Sequence, residues 1–191
     1  MPRATWFCVD IECSGPVPAL YDMISIGVVV VGPHGEIAPL EEAFYAEIRP
    51  TAPRVDPGAM AVNGLDIEAL RRDGRPLAEV LREITDFVDS RTARGSKPVF
   101  VGHNAPFDWS FVSYAYHAAG LANPFGYKAL DTKALAMGAL GLHWFDTSKE
   151  TLEKRLQLPA VEAGKVHRAD YDAWYQAHIL GRLLEHMGTH S

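Results

Sequence analysis

The chain has 191 residues, 48% hydrophobic and 22% charged, which suits one soluble globular domain with a real core. Its net charge of −6 excludes a protein that holds nucleic acid mainly through a broad basic surface, but not one that grips phosphates through ions bound by its own carboxylates. Ile24 to Val31 is too short an apolar run to span a bilayer, Met1 to Thr5 lacks a signal-peptide core, and Cys8 and Cys13 are too few for a disulfide framework, so the expectation is a cytoplasmic chain with no membrane partner and two structural thiols.

Three strands are expected first, Trp6 to Asp10, Met23 to Val31 and Ala43 to Ile48. They carry β-branched and aromatic residues and are separated by Ser14-Gly15-Pro16 and Gly32-Pro33-His34-Gly35, as in an antiparallel meander. Leu77, Val80, Leu81, Ile84, Phe87 and Val88 then recur at the spacing of one buried helical face. Arg91, Arg94 and Lys97, a solvated loop or a backbone contact for nucleic acid, lead into the short strand Pro98 to Val101. Pro106 suits the start of a helix, placing Asp108 in a first turn favoured by the helix dipole. A helix-like stretch runs from Thr132 to Ala139, Thr147 to Glu150 reads as a capping box before Leu152 and Leu156, and a last helix runs from Ala169 to Met187. Strands first, then helices alternating with short buried strands, is an α/β pattern: a mixed sheet with helices on both faces and a site at strand ends.

Asp10-Ile11-Glu12 closes the first strand, and alternation puts both carboxylates on one face, about 6.5–7 Å apart. An isolated D-x-E triplet is common by chance, and Asp108 in Asn104-Ala105-Pro106-Phe107-Asp108 can equally be an ordinary helix-start aspartate. His167 and Asp172 add an imidazole and a fourth carboxylate. Residues five apart on one helix lie about 140° from each other, so both serve one site only if His167 stays in the turn before the helix. A histidine beside a metal-bound carboxylate can take a proton from water at neutral pH. His103 and Asp131 read as structural, and Trp109, Trp144 and Phe145 as core residues or base-stacking surfaces.

The order D-x-E, N-x-x-F-D, H-x-x-x-x-D resembles the DEDDh exonucleases of the ribonuclease H-like fold along nearly the whole chain. Within that family the proofreading-type enzymes and ribonuclease T are most similar, the latter also at Ala59 to Asp66, Asn123-Pro124-Phe125 and Leu130-Asp131-Thr132. The resemblance implies one exonuclease domain over 1–191 with its core from about 4 to 187, and a five-stranded mixed sheet. It implies hydrolysis at the 3′ end of single-stranded nucleic acid, RNA slightly ahead of DNA, and a homodimer. It also implies two Mg²⁺ ions, replaceable by Mn²⁺, roughly 3.5–4 Å apart. Asp10 would bridge them, Glu12 and Asp172 would hold the ion beside the attacking water, Asp108 would support the other, and His167 would deprotonate the water. Ser14, Asn104 and Phe107 would touch substrate. Cys13 departs from the threonine many members carry, which bears on substrate positioning. Proofreading, short-oligonucleotide clean-up and a non-catalytic polymerase-associated subunit are the alternatives.

Overall fold

The computed structural model describes residues 3–162 and 164–188. Five strands form one sheet: β1 (Arg3–Cys13), β2 (Met23–Val31), β3 (Phe44–Glu47), β4 (Ser96–Gly102) and β5 (Ala129–Asp131), in the order β3-β2-β1-β4-β5. β2 and β3 add antiparallel on one side of β1, and β4 and β5 add parallel on the other. β2, apolar except for Ser25 and Gly27, is buried almost throughout, as a strand covered on both faces requires.

Seven α-helices lie among the described residues: α1 (Pro57–Asn63), α2 (Ile67–Asp73), α3 (Leu77–Arg91), α4 (Ala105–Ala118), α5 (Thr132–Leu140), α6 (Lys149–Leu156) and α7 (Ala169–His186). Val80, Leu81, Ile84 and Val88 of α3 and Phe111, Val112 and Tyr116 of α4 pack on Phe7, Val9, Ile11, Ile26 and Phe100. On the opposite face Ala173, Ala177, Leu180 and Leu184 of α7 pack on Cys8, Val29, Val31 and Val101. The small residues of that stripe let α7 lie close to the sheet. Its other flank, Tyr175, Ile179 and Leu183, meets α5 and α6 through Ala136, Leu152 and Leu156. This is the expected α/β sheet with helices on both faces, and Cys8 and Cys13 are buried free thiols. No helix of the described residues is long and apolar enough to cross a membrane.

Several boundaries differ from the sequence reading. β1 runs on to Cys13 instead of stopping at Asp10, because β2 keeps pairing with it through Glu12↔Ser25 and, after a bulge, Cys13↔Met23. α1 and α2 have seven residues each and bury only Asn63 and Leu70 respectively, so they present no apolar periodicity. Their signals are the caps, Asp56 accepting from Ala59 N–H and Asp66 from the N–H groups of Glu68 and Ala69. The capping residue of α6 is Ser148, not Thr147: the Ser148 hydroxyl accepts from Thr151 N–H, while Thr147 turns its hydroxyl back to the Trp144 carbonyl at 2.6 Å.

Candidate active site

β4 pairs with β1 only as far as Cys8↔Val101, whereas β2 follows β1 to Cys13. Beyond Cys8, β1 therefore has no neighbour on its β4 side, and a cleft of about 340 Å³ opens at the carboxyl ends of the parallel strands. Asp10 and Glu12 share the parity of Cys8, whose side chain packs on the α7 face. Gly27, the register partner of Asp10, lets α7 come close: a Cβ there would lie 2.2 Å from the Ala169 carbonyl. Asp172, three residues further along, thus arrives beside Asp10.

Main-chain and amide donors orient the carboxylates. Gln176, one turn after Asp172, donates from Nε2 to Asp10 Oδ1 (2.5 Å) and accepts at Oε1 from His103 N–H (3.1 Å), tying β1 to the end of β4. Asp108, in the first turn of α4 and 5% exposed, accepts from Ile11 N–H at 3.2 Å. His167 lies before the helix, with Arg168 as N-cap residue, in a left-handed conformation (φ 65°). Its own N–H donates to Asp172 Oδ2 at 2.7 Å. The exposed ring, Glu12 and Asp172 each offer a ligand atom within 4.8 Å of the others. Asn63 of α1 braces the end of β1 by donating to the Cys13 carbonyl at 3.2 Å.

A cation that sequence reasoning missed completes the cleft. Lys149, the first residue of α6, puts Nζ 2.6 Å from Asp172 Oδ1 and 3.9 Å from Asp10 Oδ1. A lysine at a helix N-terminus opposes the dipole, and that mismatch was the available signal. Gln176 was equally legible as the residue four after Asp172, on the same helical stripe.

The cluster resists ionisation. Burial drives Asp10 up to about 7, with Lys149 lowering, Asp172 raising and the Gln176 amide lowering it. Glu12 rises to about 8 through burial and then the charges of Asp10 and Asp172. Asp108 is held well above the carboxylate range by burial and by Asp10. Burial works against the Lys149 charge, but Asp10 and Asp172 more than offset it, and its pKa lies above the ordinary value.

The remaining predicted residues divide. Asn104 and Phe107 line the cleft, Phe107 at 37% exposure with its ring 5.4 Å from Phe111. Ser14 does not: its hydroxyl, buried, accepts from Asp22 N–H at 3.0 Å and fastens the loop after β1. His103 lines the cleft as a half-buried neutral ring, pushed down to about 3 by loss of solvation and then by Lys149 and Lys133, with Nδ1 2.9 Å from the Thr132 hydroxyl. Asp131 is structural: Oδ1 accepts from the N–H groups of Asn104, Ala105 and Lys133. Trp109 packs on Phe100, while Phe145 is 82% exposed. Arg91, Arg94 and Lys97 lie at or before the start of β4, at the far end of the sheet from the cleft, and Arg91 pairs with Glu42. A larger hollow of about 540 Å³, lined by Met23, Ile48, Leu77 and Phe111 among others, contains none of these residues.

The chain is similar to known nucleases in sequence and in fold. The family described as the 3′-5′ exoribonuclease Rv2179c-like domain matches residues 5–184. The chain is 35% identical to a 3′-5′ DNA exonuclease, Cap18, of Escherichia coli over 93% of this chain and 89% of that protein. It is 27% identical to ribonuclease T of Hahella chejuensis over 92% and 81%. In fold it resembles the nuclease domain of 3′hExo, described as a DEDDh family member bound to rAMP. There the TM-score is 0.76 at 15% identity, covering 96% of this chain and 92% of the other. Escherichia coli exonuclease I with a dT13 oligonucleotide gives 0.71 at 20% identity over 96% and 41%.

Proposed function

The chain belongs to the Rv2179c-like 3′-5′ exoribonuclease domain family, and from that membership and the cleft's geometry we propose that it hydrolyses phosphodiester bonds at the 3′ end of single-stranded nucleic acid with divalent metal ions. One observation carries the reading: Asp10, Glu12, Asp108, Asp172 and His167, drawn from three distant segments, line a single cleft at the strand ends. A purely structural interaction module has no need of that convergence.

The donor set fits the ions. Four carboxylates are hard oxygen ligands of the kind Mg²⁺ takes, with Mn²⁺ able to substitute. Burial and mutual repulsion also leave Asp10, Glu12 and Asp108 in want of positive charge. Asp10 would be the shared ligand, with Glu12 and Asp172 on one side and Asp108 on the other. Bound there, the ions would lower the pKa of the attacking water and stabilise the leaving 3′-oxygen. The protein's own groups do the rest. Gln176 and the Ile11 N–H hold Asp10 and Asp108 in position. The His167 ring accepts the proton of the water, while its main-chain N–H steadies Asp172. Phe107 offers a ring face to the terminal base and Asn104 an exposed amide, uncommitted to capping α4. Ser14 acts on substrate indirectly, by fixing the loop beside it.

The family description supports RNA as substrate, in line with the slight preference expected from the sequence, and the 35% identical Escherichia coli relative supports DNA as a second one. A homodimer rests on the likeness to ribonuclease T alone, and sedimentation at assay concentration tests it. The deciding experiment is digestion of 5′-labelled RNA and DNA strands of matched sequence. A ladder shortening from the 3′ end is expected with Mg²⁺ or Mn²⁺ and none with EDTA; undiminished turnover in metal-free buffer would refute the reading.

A further inference from the structure

Lys149 has no part in the mechanism above, yet among the described residues lining the cleft it is the one lysine or arginine. Its helix does not explain it, since α6 puts a positive charge at the end where the dipole disfavours one. Its surroundings do. The ammonium touches Asp172 Oδ1 at 2.6 Å and faces Asp10 Oδ1 at 3.9 Å, so it lies between the carboxylates of β1 and α7. Those two residues are also among the four proposed to hold the metal ions. An ammonium and a divalent ion compete for the same oxygens.

We propose that Lys149 is a resident cation of the carboxylate cluster, which a divalent ion must displace from Asp172 and Asp10 on loading. The side chain can make that move. It stands on a flexible four-carbon stem, its side chain is 27% exposed, and the cleft beside it is open. Before loading, it offsets repulsion between Asp10 and Asp172 and keeps α7 seated near β1. After loading, its work is done by the ions. Lys149 therefore both steadies the metal-free fold and raises the metal concentration at which the site fills.

This inference rests on the metal reading, and the test separates the two. Mn²⁺ is titrated calorimetrically into the wild type, K149M and the charge-keeping K149R. K149M should bind Mn²⁺ about tenfold more tightly than the wild type, as expected when a close competing charge is removed, and K149R should bind as the wild type does. In EDTA, K149M should melt below the wild type, with the gap closing when Mn²⁺ is added. Equal or weaker Mn²⁺ affinity in K149M would overturn the proposal, and so would K149R behaving like K149M, since volume and not charge would then matter. If K149M does not stay folded without metal, both proteins are prepared Mn²⁺-loaded and titrated with EDTA. K149M must then keep its ion to higher chelator concentration, and equal release overturns the proposal. A wild type that binds no Mn²⁺ at all would refute the metal centre itself.

Discussion

Replacing His167 by alanine separates a proton acceptor from a metal ligand, because the main chain and the ring of this residue have different tasks. The ring is exposed, so its removal forfeits little packing, and the N–H that holds Asp172 Oδ2 at 2.7 Å survives the substitution. The left-handed φ of 65° is uncomfortable for histidine and alanine alike, so the stability change should stay within about 1 kcal/mol. Loss of a positioned base costs roughly 10²–10⁴-fold in rate, or about 3–5 kcal/mol of barrier. The expected outcome is a large fall in single-turnover cleavage with Mn²⁺ affinity nearly unchanged. His167→Gly, relaxed at that φ, should be equally slow, and added imidazole should restore part of its rate. The assays are quenched single turnovers and calorimetric metal titration. The ring stands close enough to Glu12 and Asp172 to share an ion with them. If His167→Ala lost metal binding as fully as Asp10→Ala, the imidazole would be a ligand and the assignment of the base would fail.

Gln176→Leu should lower activity about 10–100-fold, as loss of a group orienting a ligand does, with the helix intact by circular dichroism; wild-type turnover would show that Asp10 needs no such guide. In EDTA, stability should fall as pH rises from about 6.5 to 8. Asp10 at about 7 and Glu12 at about 8 hold protons in the folded state that the unfolded chain releases nearer pH 4, so the stability they confer is complete below about pH 4, declines as pH rises and is fully lost above about 8. His103, pushed down to about 3, acts in the opposite sense only below about 6.5. Urea melts should register a drop of about 1–2 kcal/mol across the window, and saturating Mg²⁺ should remove it; a flat profile in EDTA would contradict the charge balance described for the cluster. Gly27→Ala should destabilise the fold by about 3 kcal/mol, since the new methyl meets backbone and not a movable side chain, and equilibrium unfolding measures it.

Where a feature followed from residue alternation or a long apolar pattern, it could be read before the structure: β2, α3 and α7 match their expected spans closely, and the shared face of Asp10 and Glu12 is a matter of parity. Parity does not say which helix lies on that face. The packing of Cys8 against α7 decides it, and that is a long-range fact. The need for His167 to sit outside the helix also followed from the angle between residues five apart, although its left-handed backbone did not. Short elements were missed because α1, α2 and β5 have too few residues to establish a period. Lys149 was read only for its place beside a cap, and its true partners are 23 residues away or further along the chain. The resemblance implied a substrate contact for Ser14, and sequence could not show that its hydroxyl accepts from Asp22 N–H.

The contact between Gly27 and the Ala169 carbonyl also bears on how the site moves. Most helices rest on a sheet through interleaved side chains, which can shift rotamer and let the helix slide. Here the first turn of α7 rests on bare backbone, with no such cushion. Asp172 and Gln176 therefore cannot drift from Asp10 by degrees; they leave only when α7 lifts from β2, an opening that hydrogen exchange would record as slow and concerted. His167, exposed and on the loop side of the N-cap, is free of that restraint apart from its bond to Asp172. Its ring can reorient within nanoseconds while the carboxylates stay still. If His167 is the base, as proposed, a proton could thus be carried off by ring motion without loosening the carboxylates proposed to hold the ions.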